Sequence, residues 1–102
     1  MAETPPASMR LDRFLWYVRL AKTRSFAQEV AEARHLRIDG RVIDRAHAPV
    51  RIGNVLTFLL HGTVRVIRVE SLPTRRGPVL EARACYADLG ADRGVDAPTA
   101  SE

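Results

Sequence analysis

Leu11, Phe14, Leu15 and Val18 recur at i, i+3, i+4 and i+7, the spacing that gathers apolar side chains on one face of a helix. This predicts a first helix from Arg10 to Leu20 or Ala21, with Asp12 in its first turn favouring the positive helix end. After a polar break, Lys22-Thr23-Arg24-Ser25, the pattern returns at Ala27, Val30 and Ala31 and predicts a second helix to Ala33 or Arg34. Ser25 with Gln28 fits a capping box at its start, and Thr23 is the rival N-cap. Leu36-Arg37-Ile38 and Arg41-Val42-Ile43 then flank Asp39-Gly40, a pair suited to the positive φ values of a two-residue hairpin turn.

The polar positions of this helix–helix–hairpin unit are mostly basic: Arg10, Arg13, Arg19, Lys22, Arg24, Arg34, Arg37 and Arg41. Between Arg10 and Arg51, ten basic residues face five acidic ones, a balance of +5 within a chain whose net charge is +4. Residues 88–102 carry the opposite balance, −3. Fifteen of the sixteen basic side chains are Arg. Guanidinium forks meet phosphates bidentately and stack on bases, so the bias suits RNA, although GC-rich codon usage also favours arginine. A cationic unit of this kind reads first as a nucleic-acid binder. The corner at Lys22 to Ser25 is its natural phosphate seat, because a helix begins there with free N–H groups beside Lys22 and Arg24. Trp16 and Tyr17 lie beside the apolar stripe. Trp16 can close the core edge or stack on a base.

A chain of 102 residues forms one small domain. Residues 1–8, with paired Pro5 and Pro6, read as a disordered leader. Residues 9–54 hold the binding unit, residues 55–87 the rest of its sheet, and residues 88–102 a flexible acidic tail. Strands are expected at Val55 to Leu60 and Thr63 to Ser71, separated by a His61-Gly62 turn. Alternation changes parity between Val64-Arg65-Val66 and Ile67-Arg68-Val69, so a bulge or a strand covered on both faces is expected. A loop with Arg75 and Arg76 at its tip follows. Val79 to Tyr86 reads as a strand, with helix as the rival because its alanines permit either.

Several function classes have no support. The chain holds no P-loop, GxGxxG, HExxH or GxSxG pattern, and its acidic residues are scattered singly, so no catalytic residues, metal or cofactor are expected. Cys85 is the only cysteine, which rules out an intrachain disulfide or thiolate metal cluster. No apolar run approaches the roughly twenty residues of a membrane span, and the first residues lack a signal pattern. A cytoplasmic monomer is expected. The alternative to RNA is a DNA-binding helix-turn-helix regulator. Its recognition helix would carry Ala27, Gln28, Glu29, Ala31 and Glu32, which makes a poor major-groove probe, although phosphate contacts would allow non-specific DNA binding.

Arg10-Leu11-Asp12, Leu15, Thr23-Arg24-Ser25, Ala27 and Asp39-Gly40, followed by Pro49-Val50-x-x-Gly53-Asn54-x-Leu56, resemble the RNA-binding domain family named after ribosomal protein S4. The segment RLDRFLWYVRLAKTRSFA and the later Arg-Arg loop are similar to the ribosome-associated heat-shock branch of that family. The resemblance implies an α+β fold, with two N-terminal helices packed on a small, mostly antiparallel sheet, the alpha-L motif. It implies binding to ribosomal RNA on the large subunit, with a role in recycling stalled subunits that carry nascent chain-tRNA. Carried over by position, Arg10, Arg13, Lys22, Thr23, Arg24, Ser25, Arg37 and Arg41 would contact RNA, and the basic pattern adds Arg19. Two positions depart from the family: Ala33-Arg34 stands where a glycine pair is common, and Asn54 where Asp is common. The acidic tail also replaces a long basic extension.

Phe14 lies at the centre of the first apolar stripe. Phe14→Ala is therefore expected to destabilise the domain by about 3 kcal/mol or more in denaturant unfolding.

Overall fold

The computed structural model describes residues 8–91. Its elements in order are β1 (Met9–Arg10), α1 (Leu11–Tyr17), α2 (Arg24–Glu32), β2 (Leu36–Ile38), β3 (Arg41–Ile43) and β4 (Pro49–Val50). β5 (Val55–Leu60), β6 (Thr63–Val69), α3 (Val79–Arg83) and β7 (Tyr86–Ala91) follow. Five strands form an antiparallel sheet in the order β3-β2-β5-β6-β7, and β1 pairs with β4 in a separate two-stranded ladder. The α+β class implied by the family resemblance is the one observed. Leu11, Phe14, Leu15 and Val18 of the first stripe are all buried, against Leu36, Leu56, Phe58, Ile67 and Val69 of the sheet. Ala27 and Ala31 bury the near side of α2, and their small size lets α2 lie close to α1.

α1 is shorter than its periodicity suggested. Arg19 turns left-handed at φ 63°, and the Leu20 and Ala21 N–H groups both return to the Leu15 carbonyl at 3.1 Å. The apolar pattern continues past Tyr17 because Leu20 and Ala21 remain buried in a turn, so burial outlasts the helix. At its other end α1 has no side-chain cap from Arg10. The loop before β4 supplies the partners instead: Leu11 N–H donates to the Ala48 carbonyl at 2.9 Å and Asp12 N–H to the Ala46 carbonyl at 3.0 Å. Both alanines are buried, which lets that backbone approach.

α2 is capped by Thr23, whose Oγ1 accepts from Phe26 N–H at 3.0 Å. The capping box at Ser25 and Gln28 is not formed, because Gln28 points to Asp12 instead. At the exit Arg34 adopts φ 65° and supplies the left-handed residue for which glycine is the usual choice.

The β2–β3 hairpin turns at Asp39 (φ 52°) and Gly40 (φ 87°), as the dipeptide implied. Inner and outer faces alternate without interruption along β6, where Ile67 and Val69 are buried and Arg65 extends the inner face beyond the core. The expected irregularity lies instead in β7, where Arg65 and Ile67 pair with Ala91 and Asp88 and one extra residue is accommodated. Residues 79–86 are not one strand: Val79–Arg83 is a helical turn, and β7 starts at Tyr86. Leu80 is largely exposed, because the segment coils before it can pair. Residues 88–91 belong to this strand and not to a tail. The leader through residue 7 and the acidic residues from 92 onward lie outside the described residues.

Asn54 joins the hairpin to the turn before β5. Its amide donates to Asp39 Oδ2 at 2.8 Å and its carbonyl oxygen accepts from Arg51 N–H at 2.7 Å. Asp39 Oδ1 also accepts from Val55 N–H at 2.7 Å. An aspartate at position 54 would set two carboxylates against each other. Asn54→Asp is therefore expected to lose stability as pH rises from about 4 to 7, where the wild type does not, because the pair must share a proton. Thermal melts across that range check it.

Candidate nucleic-acid interface

The site is built around Asp12, a carboxylate with no solvent exposure. Arg10 grips it with two charge-assisted hydrogen bonds, Nε to Oδ1 and Nη2 to Oδ2, each 3.0 Å. The Arg13 N–H donates to Oδ1 at 2.8 Å, Gln28 of α2 to Oδ2 at 3.4 Å, and Arg24 Nη2 lies 3.8 Å from Oδ2. Burial pushes the carboxyl pKa up. The bonds from Arg10 and Gln28, the Arg10 charge and the Arg13 N–H outweigh it, so the group lies below its ordinary value. Arg10 and Arg24 are thus set by an anion beneath them while their side chains stay partly open to solvent.

Trp16 stands next to this cluster. The Arg24 guanidinium lies 5.8 Å from its ring centre and that of Arg76 lies 5.2 Å away. Arg76 also donates to the carbonyls of Trp16 and Ala21, at 3.4 Å for the latter. In return Arg19 Nε donates to the Gly77 carbonyl at 2.6 Å. The loop arginines are therefore engaged by the protein itself: Arg76 folds back over Trp16, and Arg75 pairs with Glu81. Burial, followed by the charge of Arg19, lowers the Arg76 pKa from its ordinary value.

The sequence-predicted residues fall into three places. Arg10 and Arg13 line a cleft of about 690 Å³ with Tyr17, His47, Ile52 and Leu72. Arg19 and Lys22 line a second, more polar cleft. Arg37 and Arg41 flank the hairpin turn but emerge on opposite faces, since Arg37 is level with Val42 and Thr57 while Arg41 is level with Ile38. Arg37 also donates to the Gly40 carbonyl at 3.2 Å. Thr23 is occupied as an N-cap, and Ser25 lies exposed in the first turn of α2. Among the described residues, Arg13, Lys22 and Arg41 have no carboxylate within ion-pair distance. Sequence reasoning gave no role to Arg76 beside Trp16, nor to His61, Arg65 and Arg83 in the second cleft. They come from distant parts of the chain and share no spacing that a local pattern would reveal. No three His, Cys, Asp or Glu residues converge on a possible metal position among the described residues, and none of their helices is long and apolar enough to cross a membrane.

Asp12→Ala is expected to cost about 2–3 kcal/mol, because it removes several hydrogen bonds to a buried charge at once. The Asp12 pKa is lowered on folding, so its contribution is complete above the ordinary value of 3.8 and disappears as pH falls through the lower folded value. Chemical denaturation at pH 7 and in acid should show the two proteins converging as pH falls.

Comparison with known proteins matches residues 9–56 to the S4 domain. Heat shock protein 15 of Escherichia coli K12 is 30% identical over 88 residues, covering 86% of this chain and 65% of that protein. Its counterpart in Escherichia coli O6:H1 matches to the same extent. The chain thus spans 65% of the length of these curated relatives. A solved structure of Vibrio cholerae heat shock protein 15, described as trimeric, superposes with a TM-score of 0.74 at 28% identity and covers 81% of this chain and 83% of that one. With two helices braced by Asp12, the Asp39-Gly40 hairpin and this match, residues 9–56 form an S4 domain, and the chain is similar to heat shock protein 15.

Proposed function

We propose that the protein is a non-enzymatic RNA-binding protein that recognises structured ribosomal RNA on the large ribosomal subunit. The observation that carries this reading is the set of S4-domain cations without carboxylate partners among the described residues, Arg13, Arg19, Lys22, Arg37 and Arg41 among them, together with the braced Arg10 and Arg24. Such cations neutralise phosphates and release counterions, which gives affinity that depends on salt and on the shape of the RNA more than on its sequence. Likeness to heat shock protein 15 supports the finer proposal that the bound subunits are stalled ones carrying nascent chain-tRNA, in the cytoplasm. One copy is proposed to suffice, because the cation-lined clefts are complete within a single chain.

A DNA regulator would present α2 to the major groove. That helix buries Ala27 and Ala31, commits Gln28 to Asp12 and leaves Glu29 and Glu32 exposed, so acids would meet the bases. Side-by-side binding to a DNA duplex and a structured RNA at one salt concentration separates the readings, and a duplex preference would favour the regulator.

Arg13→Glu is expected to weaken co-sedimentation with large subunits about tenfold at low salt, to flatten the salt slope by about one or two units, and to leave the melting temperature unchanged. Arg24→Glu is a poorer probe, since a carboxylate beside buried Asp12 costs stability as well as binding. Wild-type protein that fails to co-sediment would overturn the reading. The same run reports the mass of the free chain, expected to be that of one copy.

A further inference from the structure

A second cleft, about 350 Å³ in volume, lies where the α1–α2 corner, the β5–β6 turn, α3 and β7 meet. Arg19, Lys22, His61, Arg65, Arg83 and Tyr86 contribute to its wall. Only Arg19 and Lys22 fall within the matched S4 residues, and the others come from the chain after residue 56. Among the described residues, no carboxylate lines the cleft. Arg65 is the one cation of the wall with an acidic partner among the described residues, Asp88 at 3.1 Å. Arg19 keeps its Nη groups for a ligand while its Nε holds the Gly77 carbonyl. Lys22 and Arg83 make no described ion pair.

The wall is held in place. His61 adopts φ 52° at the β5–β6 turn, and its ring stacks on Phe26 of α2 at 5.7 Å with 13° between the planes. This couples the hairpin tip to the helix that starts at the corner. Arg19 is likewise left-handed and fastened to the loop before α3. Cations from three separate parts of the fold, the α1–α2 corner, β6 and α3, are thereby brought to one concavity, and like charges gathered this way repel unless an anion joins them.

We propose that this cleft seats backbone phosphates of the bound RNA, extending the RNA-binding surface beyond the S4 domain onto the second half of the chain. The proposal rests on the RNA-binding reading above. A polymer suits the site better than a free anion. The cleft opens to solvent, its donors are long side chains from different elements, and it continues from Arg19 and Lys22 of the S4 unit. It contains no buried polar group aimed at a single ion.

The test uses the full chain and a structured ribosomal RNA fragment over a range of salt concentrations. Arg83→Gln and Arg68→Gln each remove one positive charge, but Arg68 lies on the outer sheet face beside Glu70. Arg83→Gln is expected to lose about three- to tenfold in affinity at low salt and about one unit of salt slope, while Arg68→Gln binds like wild type. Arg83→Lys, which keeps the charge, is expected to restore most of the binding, and thermal melts establish that each variant is folded. Equal behaviour of Arg83→Gln and Arg68→Gln, with wild type still binding RNA, would overturn the cleft and leave the RNA reading standing. No RNA binding by wild type would overturn both. Inorganic phosphate that displaces RNA further than chloride at matched ionic strength would mark a small-anion site and overturn the assignment to a polymer.

Discussion

A carboxylate removed from water must be surrounded by donors, and in this protein the donors required by Asp12 fix how its first two helices meet. Arg10 reaches it from just before α1, the Arg13 N–H from within the first turn, and Gln28 with Arg24 from α2. A helix pair held only by Leu11, Phe14, Ala27 and Ala31 could slide or rotate with little penalty, since apolar contact is not directional. The ion cluster adds direction. It also turns two arginines from mobile surface charges into guanidinium groups held at set positions, as phosphate recognition needs.

The second half of the chain does more than complete a sheet. Arg76 returns to the carbonyls at the end of α1 while Arg19 reaches out to the Gly77 carbonyl. This reciprocal pair of links satisfies carbonyl groups where α1 stops and places cations at the negative end of the helix dipole. Arg24 and Arg76 both lie within cation–π distance of Trp16 in the same arrangement. A surface with several clustered cations and few counter-ions carries electrostatic strain, which the structure limits through Asp12, Asp88 and Glu81.

Much of the fold was legible because its signals are local. The i, i+3, i+4, i+7 stripe located α1, and Asp39-Gly40 located the hairpin. The readings that changed involve competition between local and distant partners. Gln28 had a good local partner at Ser25 but bonds to Asp12, sixteen residues away. Val79 to Tyr86 alternates like a strand, yet coils into α3 before β7 pairs with β6. Asn54 departs from the family's usual Asp and uses both ends of its amide, one for Asp39 and one for Arg51. The basic character of the site was equally legible, but not its division. Arg37 and Arg41 share a hairpin and leave it on opposite faces, because strand residues an odd number of positions from the pleat's inner face point away from it.

The sequence by itself determined the class of the fold, the first helix pair, the hairpin and the excess of arginine, since periodicity, turn chemistry and charge are properties of neighbouring residues. Only the tertiary structure decided which arginines are committed to carbonyls and carboxylates and which remain open, and that Arg83 shares a cleft with Lys22. Several of those outcomes depend on groups about sixty positions apart meeting in space, and burial and pairing of charge are settled there.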